Sequence, residues 1–306
     1  MKYDDVVAAM FQPSPAGVVV VPTVDASPAR RLRDALEPIA MHSVWSRVTN
    51  ERLADLGLNF MTSYVWGRAA LLGEPDRGVV AATFAVFEPT MIGDAYEAGR
   101  AACGRDLLLA TRDAATTESL TAILGDADLQ AVGSIANAML VALASVDGVG
   151  RPLFSGLRNQ PIPADPVGRL WRACELAREY RGDGHVAVCT AAGLDAVEMN
   201  VLTELWLGMP LASYSASRAW PAERLEAAAN SLRGRGWLAG DVLTDAGRAE
   251  RDVIEERTDA LVEGLVTALD TAAHTIDEII VQLEAWSQAC VDASAFPPDV
   301  FKRAAG

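Results

Sequence analysis

The sequence predicts a mainly α-helical fold: two helical modules in tandem, a small β-hairpin in the second, and long helices at the C-terminus. Three observations carry this. Apolar residues recur at three- and four-residue spacing through most of the 306 residues. Glycine or proline closes these runs at intervals suited to ordinary helices. One stretch, 237–243, instead alternates Trp237, Leu238, Val242 and Leu243 around Gly240-Asp241, a two-residue hairpin turn.

Residues 1–28 form an arm, with a helix over 3–11 and a loop holding Pro13, Pro15 and Pro22. Leu32, Leu36, Ile39 and Ala40 place 28–48 on a helix, with a kink or break expected at Pro38. A short helix from Asn50 ends at Gly57. An aromatic-rich helix over 58–72 ends at Gly73, and Glu74-Pro75-Asp76 makes a turn. Residues 77–87 form an almost wholly apolar helix, which predicts burial all round. Two or three helices follow to 148, including the uncharged run 131–145, too short to span a bilayer. Glycines and prolines in 146–164 mark a linker. The division is arm 1–28, first module 29–148, linker 149–165, second module 166–250 and C-terminal helices 251–306.

The second module opens with a helix over 166–181. Asp183 suits an N-cap for another over 184–192, and a third runs to Leu207 before Gly208. After a loop, Pro221 fits a first helical turn, Leu225, Ala228, Ala229 and Leu232 give a buried stripe, and Gly234 and Gly236 stop it. The hairpin follows, and Thr244 or Asp245 caps the next helix. Ile254, Leu261, Leu265, Leu269, Ile276, Ile280 and Leu283 form an apolar seam along 246–290, a candidate homodimer surface.

Helix, hairpin, helix is the order of a winged-helix module. The pattern GRGWL…DVLTDAGR resembles MarR-type winged helix-turn-helix proteins. With GRAALLG (67–73), VVAATF (79–84), GRPLF (150–154), REYRGDGH (178–185) and AAGLD (191–195), the chain resembles a large actinobacterial family of MarR-like proteins without an agreed activity. The resemblance implies a tandem winged-helix-like fold. It also leads one to expect a tyrosine and an asparagine inside the TF…F motif. Ala85 and Val86 stand there instead, so a site at this place is more apolar or takes a different ligand.

The halves look alike. Gly57-Leu58-Asn59, a helix and Gly73 answer Gly193-Leu194-Asp195, a helix and Gly208, and the segments from Pro75 and Pro221 correspond. The second copy carries charge on its final helix and the first carries almost none. DNA contact, if any, is therefore expected from Arg218, Arg224, Arg233 and Arg235 and the hairpin.

The charge balance works against nucleic acid. There are 26 basic and 41 acidic residues, net −15, whereas phosphate binding needs a basic face. Residues 218–251 hold six arginines and five acids, which permits a local patch without requiring one. No apolar run reaches 18 residues, and 18–22 is too short for a signal core, so a cytoplasmic protein without membrane contact is expected. Cys103, Cys174, Cys189 and Cys290 are scattered and are expected as reduced, mostly buried thiols.

The sequence has no P-loop, GxGxxG, GxSxG or HExxH, and His42, His185 and His274 lie far apart. Neither a cofactor nor a metal is called for. Two constellations stand out. Trp45, Phe60, Tyr64, Trp66, Phe84 and Phe87 cluster in sequence, with Arg68 and Thr83 among them. They suit either a packed core or a mostly apolar pocket with a few polar anchors, where a flat ring could stack. Arg181, Asp183 and His185 suit either a structural cap and ion pair or a pocket mouth, with His185 near a helix start as a possible base. Three functions remain in order of preference: a protein binding a hydrophobic or aromatic small molecule in the N-terminal half, a dimeric ligand-responsive DNA-binding regulator, and an enzyme using His185.

Overall fold

A computed structural model describes residues 2–14, 20 and 26–305. Helices α1 (Tyr3–Met10), α2 (Pro28–Ala40), α3 (His42–Trp45) and α4 (Arg47–Ala54) come first. They are followed by α5 (Phe60–Ala69), α6 (Arg77–Phe84), α7 (Pro89–Ala102), α8 (Arg105–Ile123) and α9 (Leu129–Ser145). Short α10 (Pro152–Arg158) leads into α11 (Pro166–Ala191), then α12 (Ala196–Trp206) and α13 (Ala222–Gly234). Strands β1 (Leu238–Ala239) and β2 (Val242–Leu243) precede α14 (Asp245–Ala260), α15 (Glu263–Leu269), α16 (Ile276–Asp292) and α17 (Val300–Ala305). The strands pair antiparallel, Leu238 with Leu243 and Ala239 with Val242, across Gly240-Asp241 as the alternation predicts. Thr244 is the cap of α14, accepting from the Gly247 N–H at 3.0 Å. The proline loop of the arm, with Pro15 and Pro22, lies largely outside the described residues.

Two apolar cores organise these elements. The larger draws on α2, α5, α7 to α11 and, from the far end of the chain, α15 and α16. The smaller joins Val188 and Cys189 of α11 to α12, α13, the hairpin and Ile254 of α14. Helix α11 runs through both, so the large and small bodies share one rigid axis.

Several expectations are corrected here. Residues 166–191 form one 26-residue helix, not two. Gly182 and Gly184 weaken helix propensity, but burial of Leu176, Tyr180 and Val188 around them overrides a cost of about 1 kcal/mol each. Asp183 therefore sits mid-helix, and caps a different helix: its Oδ2 accepts from the Phe154 N–H of α10 at 3.0 Å. Residues 146–164 are no free linker, since α10 buries Leu153, Phe154 and Leu157. Helix α6 is not buried all round. It stops at Phe84, buries only Val80 and Phe84, and leaves Val79 52% exposed. Pro38 does not break α2, which runs on to Ala40. The Asp34 carbonyl, left without the Pro38 N–H, accepts from Arg303 Nε at 2.6 Å. Most of the C-terminal seam is spent inside the chain: Leu265, Leu269, Ile276, Ile280 and Leu283 pack in the larger core and Ile254 in the smaller, which leaves Leu261, 42% exposed, as the seam residue at the surface.

The repeat has a geometric counterpart. Gly57 (φ +84°) precedes α5, capped by an Asn59–Thr62 box, and Gly193 (φ +72°) precedes α12, capped by an Asp195–Glu198 box. Gly73 and Gly208 follow these helices with φ of +91° and +89°. A β-carbon is disfavoured at such φ, which is why glycine recurs there. After α6 the chain turns directly into α7, and among the described residues the one hairpin is that following α13.

Candidate ligand cavity

The turn after α6 meets α12 and the loop before α13. The Val86 carbonyl accepts from Asn200 Nδ2 at 2.7 Å and from Trp220 Nε1 at 2.9 Å, and the Glu88 N–H donates to the Arg218 carbonyl at 3.0 Å. Beside this junction lies a cavity of about 270 Å³, bounded also by α2, α11, α14 and α17.

One wall is aromatic. Trp45 and Phe60 lie 5.5 Å apart, and Phe296 meets Trp45 edge-on at 6.4 Å. Tyr64 sits 6.0 Å from Phe84 and 5.7 Å from Phe87. The other wall is charged. Arg68 forms a two-pronged pair with Glu179, at 3.1 and 2.8 Å, donates to the Tyr64 hydroxyl at 2.8 Å and stacks 4.8 Å from Phe84. Arg178 pairs with Glu37 at 3.1 Å. Glu255 receives Arg30 at 3.1 Å, Arg251 at 2.8 Å and Arg181. Burial alone would raise the Glu255 carboxyl, but these three guanidinium groups hold it well below its ordinary range. Burial likewise opposes ionisation of Glu179, and Arg68 and Arg178 outweigh it.

Eight cationic side chains and four carboxyls line this cavity, in a chain of net charge −15. One of the four, Asp183, is pushed up by burial to about 7, against the lowering effect of the Phe154 N–H. The lining thus carries more cationic than anionic groups inside an acidic molecule, although Asp34 and Asp259 outside it also pair with Arg30, Arg33 and Arg181.

Trp45, Phe60, Tyr64, Arg68, Thr83, Phe84, Phe87, Arg181 and His185 all line the cavity, whereas Trp66 does not. Trp66 is fully buried, donates from Nε1 to the Cys103 carbonyl at 3.0 Å and packs 5.5 Å from Tyr96. His185 lies mid-helix rather than at a helix start. Its Nδ1 meets Thr258 Oγ1 at 2.9 Å and its Nε2 meets Cys189 Sγ at 3.6 Å. Burial, then Arg251, pulls it down to about 3, so it is neutral with both ring nitrogens engaged. The side chains not anticipated include Arg30, Arg33 and Glu37 of α2, Arg178 and Glu179, Arg251 and Glu255, Tyr214, Phe296 and Lys302. The motif REYRGDGH already held two of these, Arg178 and Glu179, at helical spacing from Asp183 and Val186.

The four arginines considered for DNA divide. Arg218 lines the cavity. Arg233 is tied to Glu226 and Asp241, each at 2.9 Å, and Arg235 to the Gly193 carbonyl at 2.7 Å and Glu198 at 3.4 Å. Arg224 is exposed, 3.7 Å from Asp195. Among the described residues no group of three or more His, Cys, Asp or Glu side chains is placed to hold a metal, and no single helix is long and apolar enough to cross a membrane. All four cysteines are buried free thiols.

No curated protein and no solved structure matches the chain. The model of a helix-turn-helix family matches residues 29–297, nearly the whole length, and by that match the chain belongs to a helix-turn-helix family.

Proposed function

We propose that this protein binds a hydrophobic or aromatic small molecule in the cavity between its two helix-turn-helix-like copies. The observation that carries the reading is Gly182. It lies inside α11 and lines the cavity, and a β-carbon there would meet nothing closer than Glu179 Oε2 at 4.0 Å. A helix-interior glycine costs about 1 kcal/mol relative to alanine. Packing does not demand it here, so a role in leaving the cavity open is the reason that fits. Aromatic faces with a few fixed polar groups are the usual make-up of a ligand pocket.

The test uses N-phenyl-1-naphthylamine, a neutral two-ring fluorophore. The native chain is expected to bind one probe with enhanced emission. Gly182→Leu, which projects a side chain into the space, is expected to abolish the signal while far-UV circular dichroism stays native. Undiminished emission with Gly182→Leu would remove the cavity from consideration.

The second reading is a DNA-binding regulator. Family membership and the α12–α13–hairpin order favour it. Pairing of Arg233 and Arg235 with acids of their own module, and placement of Arg218 in the cavity, leave little free positive charge for phosphate. Catalysis by His185 finds less support, because both ring nitrogens already face partners, Thr258 and Cys189, so the one lone pair of the neutral imidazole is engaged within the fold.

A further inference from the structure

The charged wall is neutralised everywhere except at one end. Arg30, Arg33, Arg68, Arg178, Arg181 and Arg251 each have a carboxylate oxygen within 4.0 Å. Arg218 and Lys302 have none among the described residues. The Arg218 guanidinium is stacked between two rings, 4.8 Å from Phe87 and 4.2 Å from Tyr214, and donates to the Tyr214 and Ser217 hydroxyls. Its Nε–H is buried with no acceptor. Lys302 Nζ lies 5.6 Å from the centre of the same Tyr214 ring. Asp299, the one acid acting on Lys302, is beyond bridging distance and already accepts from Ser14 Oγ at 2.6 Å and the Phe301 N–H at 3.1 Å.

These cations are placed, not adrift. Glu204 is fully buried and accepts from the N–H groups of Ala212, Tyr214 and Ser215 at 2.7, 2.9 and 2.8 Å, which fixes the loop bearing Tyr214 and Arg218. The Tyr214 hydroxyl donates to the Ala305 carbonyl at 3.2 Å, drawing α17 and Lys302 to the same place. Two partly buried like charges held together without a counter-ion are unfavourable. Burial, and next the neighbouring Arg218, lower the Lys302 ammonium below its ordinary range. An arriving anion would relieve both costs.

We infer that Arg218 and Lys302, on either side of Tyr214, form an anion subsite, and that the ligand is an amphipathic organic acid whose acidic group sits there while its apolar body lies along Phe87, Tyr64 and Phe84. Phe87 links the two parts, since it stacks on Arg218 and contacts Tyr64. This rests on the cavity being a ligand site.

The test compares two probes that share one body. 8-Anilinonaphthalene-1-sulfonate is N-phenyl-1-naphthylamine with an added sulfonate, a stand-in for the acidic group. Native protein is expected to bind the sulfonate about 10-fold or more tightly than the neutral probe. Lys302→Met and Arg218→Gln are each expected to weaken sulfonate binding about 10-fold, as loss of one charge-assisted bond implies, and to weaken neutral-probe binding several-fold less. Lys302→Met alters only the terminal helix, so it reads out even if Arg218→Gln disturbs the loop. Equal affinity for both probes, or equal loss of both in Lys302→Met, overturns the anion subsite and leaves the cavity reading standing. Failure of the neutral probe to bind, with the sulfonate bound and unaffected by either substitution or by Gly182→Leu, overturns both.

Discussion

Asp183 is a residue whose chemistry departs from what its sequence context suggests. After Arg181-Gly182 it resembles a solvent-side cap, yet it is 7% exposed inside α11, with its carboxyl raised by burial from 3.8 to about 7. The folded chain therefore keeps a proton between about pH 4 and pH 7 that the unfolded chain has released. The associated stability is present in full below about pH 4 and lost as the pH rises through 7, at most about 4 kcal/mol. Asp183→Asn retains an acceptor for the Phe154 N–H and cannot ionise. Its stability advantage over the native chain should open between pH 4 and pH 7 and level off above, measured by urea denaturation at pH 4.5, 6 and 8. An advantage constant across that range would mean that Asp183 does not titrate as its burial requires. The aromatic half of the cavity was legible at this scale, because Trp45 to Phe87 fall close together in sequence. The charged half was not. Arg68 finds Glu179 111 positions away and Arg30 finds Glu255 225 positions away, and nothing local in either segment announces its partner.

At the scale of elements, local pattern identified most helices and the hairpin but misjudged what surrounds them. Residues 146–164 have linker composition, and their glycines and prolines do punctuate the chain. One of those glycines nonetheless permits close packing. A β-carbon on Gly156 of α10 would lie 2.5 Å from the Leu71 carbonyl oxygen, which belongs to backbone and cannot swing aside. Gly156→Ala should lower stability by about 1–3 kcal/mol through overpacking, more than the gain of up to about 1 kcal/mol in helix propensity returns. In an exposed linker the same change would be neutral or stabilising, so the sign of the shift in urea midpoint decides between them. Helix α6 teaches the converse. Its apolar residues are mostly Gly, Ala and Val, small enough to remain at the surface at little cost, and composition alone overstated its burial. The break placed at Gly182-Asp183 failed because tertiary burial along α11 outweighs two glycines.

For the whole molecule the decisive quantity is where charge is kept. Eight of the 26 cationic side chains line the cavity, but only four of the 41 acids do. The outer surface is consequently more acidic than the formal charge of −15 conveys, and it faces any nucleic acid with repulsion at long range. Helix-turn-helix membership and the charge distribution thus point in opposite directions, and a salt titration separates them. Binding of the purified protein to DNA from its own upstream region should be undetectable at low salt, where an electrostatic contact would be strongest. Retention that weakens steeply with salt, survives competitor DNA and is lost on Arg224→Ala together with Arg233→Ala would instead establish α13 as a DNA-reading helix. The cavity would then be the place where an effector acts, since Arg218 reaches it from the short loop immediately before α13.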